Sequence, residues 1–466
     1  MIQKLLLKQK RLLFSVLLSI SVLYYISSCY INTSNDGSHF ALVSAIINNG
    51  TLEVKDYLKY CNNTDYALKD GKYYSDRLPG NAFLMAPFFL YGKLLEKLNL
   101  KGLSSHPNIE EVTVILQSNL CAVAGIFFLF LIFRHFNFSF NLSLFASVIF
   151  AVCTLNWQES THVFSHAASM CFVLMAFYFL ISAKDIYGKG FLLFVFLLSF
   201  SSIIELQNLL LFFPAIVYIL LSKKINFKLH SQNLKYIALG FLLFCGVLSA
   251  LLIYNYAAFH ELTFKSNKYN PEFPEEINFL SSLSGNFISG IDRLFTNFLN
   301  PQVYQWKYGV QNDVPGVLVT SPMLIFSLAG FVLFFKKHFN EALLFTLIIL
   351  INIVIAALHK TVLTRHIFTI TPFIFFPFVF VLEYIFNNKN SATKIFVGSL
   401  IILLSALSCA RVFYVTHTYW GREITNIFPF AKEIWVYIVF VFLLSALIGI
   451  ILFLKRKLNK NSQNIA

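Results

Sequence analysis

Residues 112–133 read VTVILQSNLCAVAGIFFLFLIF, an uncharged stretch long enough to cross the hydrocarbon core of a membrane as one helix. Similar apolar stretches recur along the whole chain. The composition agrees, because 57% hydrophobic residues, 12% charged residues and 54 Phe cannot be buried inside a soluble globule of 466 residues. The sequence therefore predicts an all-α polytopic membrane protein, with residues 1–466 forming a single integral membrane domain.

The same span length predicts about twelve membrane helices in all. They are expected near residues 12–30, 112–133, 140–157, 164–183, 190–205, 207–222, 235–255, 317–335, 341–358, 362–385, 394–412 and 433–454. Lys and Arg collect at alternate ends of these segments, beginning with Lys8, Lys10 and Arg11 ahead of the first. Because positive residues favour the cytoplasmic side, we expect both termini in the cytoplasm and the protein in the plasma (inner) membrane.

The net charge of +14 indicates a membrane surface as the charged partner. Because Lys and Arg lie at the ends of apolar segments, anionic lipid head groups of the bilayer are expected to bind them, and nucleic acid is not. The seven Cys lack the paired spacing of a zinc or redox site. Residues 26–29, ISSC, also fit a lipoprotein-like cleavage site, but the apolar run before them is long for a signal peptide and favours an uncleaved anchor.

Two long loops are expected on the exoplasmic face, at residues 31–111 and 256–316. Residues 287–298 of the second loop have an apolar stripe at helical spacing, and residues 81–98 of the first predict another interfacial helix or a re-entrant segment. Because few residues follow the last predicted span, we expect these loops to recognise the substrates. Interfacial helices of this kind cover a cavity in which a lipid-linked substrate meets a water-soluble group.

The first loop opens with a further helical pattern at residues 38–49. Asn35 or Asp36 is the predicted N-cap of this helix, and Gly50 is its predicted end. A helix at this point would lie along the membrane surface directly after the first span. Asp36 would then stand at that surface.

Short polar motifs lie at the ends of several predicted spans. Asn35-Asp36 follows the first span, and Tyr74-Ser75-Asp76-Arg77-Leu78-Pro79-Gly80 occurs later in the same loop. His162 and His166 open the fourth span, and Arg365-His366 opens the tenth. Ionisable residues at a membrane boundary favour a functional site, and all of these are predicted on one membrane face.

In topology and in these motifs the chain resembles the polytopic glycosyltransferases of the GT-C fold, and within them the superfamily of protein O-mannosyltransferases and lipid A aminoarabinose transferases. Two departures stand out. The acidic pair of the mannosyltransferases is Asp36-Gly37 here, and their Lys-Pro-Pro is Arg77-Leu78-Pro79. The resemblance implies transfer of a sugar from a polyprenyl-phosphate donor to a hydroxyl group of a glycan, lipid or protein acceptor.

The resemblance and the chemistry of the residues assign roles within this reaction. Asp36 is the expected general base, which takes the proton of the acceptor hydroxyl in a single displacement that inverts the anomeric centre. Arg77 and Arg365 are expected to bind the donor phosphate, since a guanidinium group forms bidentate hydrogen bonds with phosphate. Three further residues are predicted to contact substrate: Asp76, Tyr74 and Glu205.

A third group consists of Glu159, His162 and His166. If this stretch is helical, its spacing places the three side chains on one face, where two His and a carboxylate can hold a divalent metal ion. Binding of a phosphate is an equal alternative. Interfacial His residues that hydrogen-bond head groups are commoner than metal sites, so the sequence makes a metal ion no more than a candidate cofactor.

Each assignment also has a structural alternative. Asp36 could serve only as a helix cap, and Asp76 with Arg77 could form a solvated turn. Arg365 could extend toward lipid head groups from a helix end. At the level of the whole protein, one alternative is a transporter or flippase of a lipid-linked or charged solute, and another is a polymerase or ligase that moves a whole glycan from a polyprenyl diphosphate. Transport sites lie near the bilayer midplane, whereas the candidate residues here are predicted on one face, which favours catalysis.

Overall fold

A computed structural model of the chain describes residues 2–29, 31, 33–98, 108–185, 188–222, 231–264, 266–272, 316–358, 364–387, 391–419 and 422–423. Helices dominate this part of the chain. The α-helices are α1 (Ile2–Ile26), α2 (Ser34–Ser44), α3 (Pro79–Lys97), α4 (Ile109–His135), α5 (Phe140–Cys153), α6 (Asn156–Ser160), α7 (Ser165–Ser182), α8 (Lys189–Ile204), α9 (Phe212–Leu221), α10 (Ser231–Phe259), α11 (Val317–Thr320), α12 (Phe326–Lys337), α13 (Phe339–Leu358), α14 (Thr371–Phe375), α15 (Phe378–Asn387) and α16 (Ser391–His417).

Shorter elements connect or extend these helices. One π-helix (Ala45–Asn49) continues α2, and five segments are 3-10 helical: Lys55–Cys61, Leu206–Leu211, Ser266–Tyr269, Pro322–Ile325 and Thr364–Ile370. Two small antiparallel hairpins complete the described structure. Their strands are β1 (Ala67–Lys69), β2 (Lys72–Tyr74), β3 (Thr418–Tyr419) and β4 (Arg422–Glu423).

The predicted fold class is confirmed, and each of the first eleven predicted spans coincides with helical residues. The twelfth, 433–454, and the amphipathic segment 287–298 lie outside the described residues. Several spans are less continuous than predicted. Pro377 separates α14 from α15, since proline cannot donate the helical hydrogen bond. The span predicted at 140–157 ends at Cys153, because the Thr154 hydroxyl accepts the Asn156 N–H at 3.3 Å and starts a new turn.

The length and hydropathy of the helices are those of an integral membrane protein. Six segments in the described part of the chain are long and apolar enough to cross a bilayer. They are Ile109–His135, Ser165–Ser182, Leu234–Phe259, Phe339–Ala356, Ile367–Asn387 and Ile395–Thr416. Shorter apolar helices, such as Phe140–Cys153 and Lys189–Ile204, pack among them.

The bundle is organised around α7, which packs against α4, α8 and the 3-10 helix Thr364–Ile370. One end of the bundle is filled by aromatic rings in contact, among them Phe133, Phe136, Phe334, Phe376 and Phe380. At the other end, the last residues of α1 and α8 meet the first residues of α7 and the segments of the first loop. Buried polar residues are concentrated at this second end.

The helix α2 begins earlier than predicted and has a different cap. Its N-cap is Thr33, whose hydroxyl accepts the Asp36 N–H at 3.1 Å, so the predicted N-cap at Asn35 or Asp36 is wrong. Thr33 is better suited because it has the extended backbone of a cap, with φ −116° and ψ 151°. The predicted end is confirmed, since Gly50 has a left-handed backbone (φ 63°) after the π-helix. Asp36 is therefore inside the first turn and its carboxylate is not used for capping.

Gly37 sets how closely α2 packs on the 3-10 helix Lys55–Cys61. A Cβ atom at this position would lie 1.7 Å from the carbonyl oxygen of Tyr60. No side chain can occupy that space without moving one of the two helices. The close contact buries α2 from Asp36 to Ser44 and fixes the residue before it, Asp36, in the protein interior.

Candidate active site

The connection between α5 and α7 forms one wall of the candidate site. Residues 151–164 are buried throughout. The Cys29 N–H bonds to the Thr161 carbonyl at 3.1 Å, and the Asn81 side-chain amide donates to the Val163 carbonyl at 3.0 Å. These bonds join the end of α1 and the start of α3 to the same buried connection. The side chains it carries are therefore held in a fixed position.

Asp36 and His162 meet at this wall. Oδ2 of Asp36 lies 3.8 Å from Nδ1 of His162, and the two side chains are 1% and 0% exposed. Within the described residues, neither carboxylate oxygen of Asp36 has a hydrogen-bond partner. The His162 ring stacks on Phe164 at 5.1 Å between centroids, which fixes its orientation. A buried carboxylate with no hydrogen bond is costly in a folded protein, so such groups mark candidate sites of function.

Arg77 lies in the same loop and is held by two carboxylates. Nη2 of Arg77 contacts Asp65 at 2.9 Å, and Nε contacts Asp76 at 3.4 Å. Asp65 also accepts a hydrogen bond of 2.6 Å from Ser34, at the start of α2. The Arg77 side chain is 31% exposed, so part of the guanidinium group remains open to solvent or to a ligand.

Asp76 joins the two long loops. Its carboxylate accepts hydrogen bonds from Ser38 at 2.9 Å and from Asn270 at 3.0 Å, and its backbone carbonyl accepts one from Ser266 at 2.8 Å. Burial raises its pKa to about 6, and the charge of Arg77 opposes that rise. Asp76 is 5% exposed, so the interpretation of Asp76 with Arg77 as a solvated turn is wrong. The substrate contact predicted for Asp76 stays a prediction.

Glu205 and His166 form a second carboxylate–imidazole pair at the junction of α8 and α7. Nδ1 of His166 contacts Oε1 of Glu205, and the two side chains are 11% and 9% exposed. Ser165 also donates to Oε1 at 3.0 Å, while Oε2 accepts from Gln207 and from Thr369, each at 3.3 Å. Glu205 is thus a shared acceptor for three chain segments, and its predicted contact with substrate stays a prediction.

His39 belongs to the site although it was not identified from the sequence. It lies one turn after Asp36 in α2 and is 2% exposed. Burial lowers its pKa to about 3, the charges of Arg77 and His166 lower it further, and Asp65 and Glu205 act in the opposite direction. Its position three residues after Asp36 in a predicted helix is the signal that would have found it.

Two further predicted site residues are Tyr74 and Arg365. The ring of Tyr74 packs against Phe259 at 5.3 Å between centroids and is 7% exposed, so it belongs to a small apolar cluster beside the site. Arg365 is part of the 3-10 helix Thr364–Ile370, the helix that places Thr369 on Glu205. The side chain of Arg365 lies outside the described part of the structure. The roles predicted for both residues stay predictions.

The prediction that Glu159, His162 and His166 share one helical face is wrong. The short helix α6 ends at Ser160, and α7 begins at Ser165, because the chain turns between them to form the buried wall. His162 faces Asp36, whereas His166 faces Glu205. Among the described residues, no group of three or more His, Cys, Asp or Glu side chains is placed to hold a metal ion.

Comparisons with known proteins identify the fold. No protein-family model matches the sequence, and no curated protein matches it. Two crystal structures of ArnT from Cupriavidus metallidurans are similar in structure, the apo state with a TM-score of 0.56 and the complex with undecaprenyl phosphate with a TM-score of 0.57. In each case the sequence identity is 11%, and the match covers 95% of this chain and 72% of the ArnT chain.

Sequence identity this low shows a shared fold and no more. The match nevertheless extends over nearly the whole chain, as the resemblance in topology predicted. The apolar helices and the buried polar end of the bundle are arranged as one continuous unit in the described residues. The chain is an integral membrane protein with the GT-C fold that it shares with ArnT.

Proposed function

We propose that the protein is a membrane glycosyltransferase that takes a sugar from a polyprenyl-phosphate donor and transfers it to an acceptor hydroxyl on the exoplasmic face. The observation that carries the proposal is the buried carboxylate of Asp36, 3.8 Å from His162 and without a hydrogen bond to any described residue. The ArnT structure with bound undecaprenyl phosphate supports the choice of donor, because it has the same fold.

Asp36 suits the role of general base. Its carboxylate is buried beside a His side chain, and a hydroxyl group that enters the site can donate a hydrogen bond to either free oxygen. General-base catalysis of this type typically contributes about 10²- to 10⁴-fold in rate. In this proposal the neighbouring His162 imidazole orients the carboxylate, as a further group orients the base in such arrangements.

Arg77 suits the role of phosphate ligand. It directly precedes α3, whose N-cap residue Leu78 provides no side-chain hydrogen bond to the first turn. The N–H groups and the positive dipole end of that helix favour an anion, and the partly exposed guanidinium group adds a full positive charge. His166, at the start of α7, is a further candidate for the same phosphate. Arg365 stays a candidate on the basis of the sequence.

The proposed reaction is a single displacement. Asp36 takes the proton of the acceptor hydroxyl while the acceptor oxygen forms a bond to the anomeric carbon. The bond from that carbon to the phosphate oxygen breaks, and its electron pair leaves with the polyprenyl phosphate. One displacement of this kind inverts the anomeric configuration. Arg77 and the helix end stabilise the negative charge as the phosphate leaves.

The test uses purified protein in nanodiscs and a panel of undecaprenyl-phosphate monosaccharides labelled in the sugar. Wild type is expected to consume one of these donors, and Asp36→Asn is expected to lose nearly all activity while it still binds undecaprenyl phosphate. Asp70→Asn is the matched control. It makes the same chemical change in the same loop, at an exposed turn with φ 51° that Asn adopts readily.

Two results would contradict the proposal. Full activity of Asp36→Asn would remove the assigned base. Tight binding of one donor without its consumption, together with movement of that donor between bilayer leaflets, would support the flippase alternative. Consumption by wild type and by Asp70→Asn, but not by Asp36→Asn, would establish both the activity and its catalytic carboxylate.

A further inference from the structure

His39 is a buried polar residue of the site that the proposed reaction does not use. It lies three residues after Asp36 in α2, and side chains at this spacing are neighbours on a helix surface. The segment around it is rigid, because Ser38 bonds to Ser75 at 2.8 Å and to Asp76 at 2.9 Å. His39 is therefore held beside the catalytic carboxylate.

Two buried polar atoms, one on His39 and one on Asn81, have no hydrogen-bond partner among the described residues. Nδ1 of His39 is buried and has no hydrogen-bond partner among the described residues. Oδ1 of Asn81, at the start of α3, is in the same state, although its amide group bonds to Val163. Buried polar groups in native proteins are almost always hydrogen-bonded. A ligand hydroxyl group that reaches either atom would satisfy it.

The electrostatic surroundings keep His39 neutral. Burial lowers its pKa to about 3, well below physiological pH. The charges of Arg77 and His166 lower its pKa further, and those of Asp65 and Glu205 act in the opposite direction. A neutral imidazole accepts a hydrogen bond at one ring nitrogen and donates at the other. A hydroxyl group can donate to the accepting nitrogen or accept from the donating one, so it is a suitable partner for either nitrogen.

The course of the reaction defines where the sugar lies. In the proposed reaction the acceptor hydroxyl lies at Asp36 and the phosphate at Arg77, and the entering and leaving oxygens occupy opposite faces of the anomeric carbon. The sugar ring then lies between these two residues. His39 lies three residues after Asp36 on α2, and side chains at this spacing are neighbours, so it adjoins the Asp36 end of that position.

We propose that His39 recognises a hydroxyl group on the donor sugar through Nδ1 and thereby determines which sugar is transferred. The inference rests on the proposed function and adds the substrate class, a sugar with a ring hydroxyl at the contacted position. An enzyme that hydrogen-bonds a substrate hydroxyl discriminates against the analogue without it, because the buried partner is then left unpaired.

The test compares wild type, His39→Ala and His39→Asn. The probes are the undecaprenyl-phosphate monosaccharide that wild type consumes and its monodeoxy analogues. Wild type is expected to prefer the complete sugar over one analogue by about 10- to 100-fold in kcat/KM. His39→Ala should lose that preference and treat both alike. His39→Asn should keep much of it, since the side-chain oxygen of Asn lies close to the position of Nδ1.

Binding of undecaprenyl phosphate, which has no sugar, is the control for folding. Its Kd should be the same in all three proteins. An unchanged preference in His39→Ala would overturn the proposal, and so would loss of undecaprenyl phosphate binding in both variants, which would make His39 a structural residue. Failure of wild type to consume any donor is a different result, because it would remove the proposed function itself.

Discussion

Nδ1 of His162 lies 3.8 Å from Oδ2 of Asp36, and the two residues come from parts of the chain that are far apart in sequence. Asp36 belongs to the first turn of α2, and His162 to the buried connection before α7. Both are anchored by backbone bonds nearby, such as the one from Cys29 to Thr161. A carboxylate and an imidazole held in this way form a close pair before any substrate binds.

Replacement of His162 should slow the chemical step more than it weakens binding. In His162→Gln we expect kcat to fall about 10- to 100-fold, because the carboxylate of Asp36 loses the group that orients it. The Kd for undecaprenyl phosphate should not change. His260→Asn is a suitable control, since His260 is exposed and has a φ of 55°. A fall in affinity without a fall in kcat would place His162 with the phosphate ligands instead.

Arg77→Lys keeps the positive charge and removes the planar pair of donors. We expect the affinity for undecaprenyl phosphate to fall about 10- to 100-fold, because hydrogen bonds of charged groups are strong. Binding can be measured by isothermal titration in nanodiscs. Arg134→Lys makes the same change at an exposed position on the last turn of α4 and should leave the affinity unchanged. Equal affinity in the two variants would show that Arg77 does not bind the phosphate.

The pair formed by His166 and Glu205 should stabilise the junction of α7 and α8. Glu205→Ala or His166→Ala alone should each lower the free energy of unfolding by about 3–5 kcal/mol, because either change removes the ion-pair partner of a buried group. The double variant should lose much less than the sum of the two. Unfolding can be followed in detergent. Replacement of Lys268 or Glu261 by Ala, in an exposed ion pair, should change the free energy of unfolding little. If the losses at His166 and Glu205 are additive, the two residues are not coupled.

Asp76 should make the stability depend on pH in the acidic range. Burial raises its pKa to about 6, above the value of 3.8 for an unperturbed Asp, so the folded protein binds the proton more tightly than the unfolded chain. Its contribution to stability is complete below about pH 4 and is lost as the pH rises through about 6. The difference in stability between wild type and Asp76→Asn can be measured by thermal unfolding from pH 4 to 8. It should decrease as the pH rises. A difference that is constant with pH would contradict it.

The sequence predicted the fold well because the membrane imposes a simple rule on each segment. Uncharged stretches such as 112–133 must form helices to satisfy their backbone groups, and they do. Breaks within spans were harder to predict. The end of α5 at Cys153 depends on a hydrogen bond of the Thr154 hydroxyl that no hydropathy pattern contains.

The candidate site was predicted only in part, because its partners come from distant segments. Asp36 and Arg77 were found from local motifs and membrane boundaries. Asp65, which holds Arg77, and His39 carry no such motif, although His39 follows the spacing of the helix. In the connection at 154–164, residues 154–157 were predicted to continue the preceding span, and the stretch from Glu159 to His166 was treated as helical only conditionally. Its true form depends on tertiary packing against α1 and α3, which the periodicity of the sequence does not encode.

The contact of Gly37 with Tyr60 limits how this site can change during evolution. A second acidic residue directly after Asp36, as in the acidic pair of the mannosyltransferases, would need its Cβ atom where the Tyr60 carbonyl now lies. A single substitution therefore cannot restore that pair. The neighbouring helix Lys55–Cys61 would have to shift at the same time, so the residue at position 37 and the spacing of the two helices can change only together.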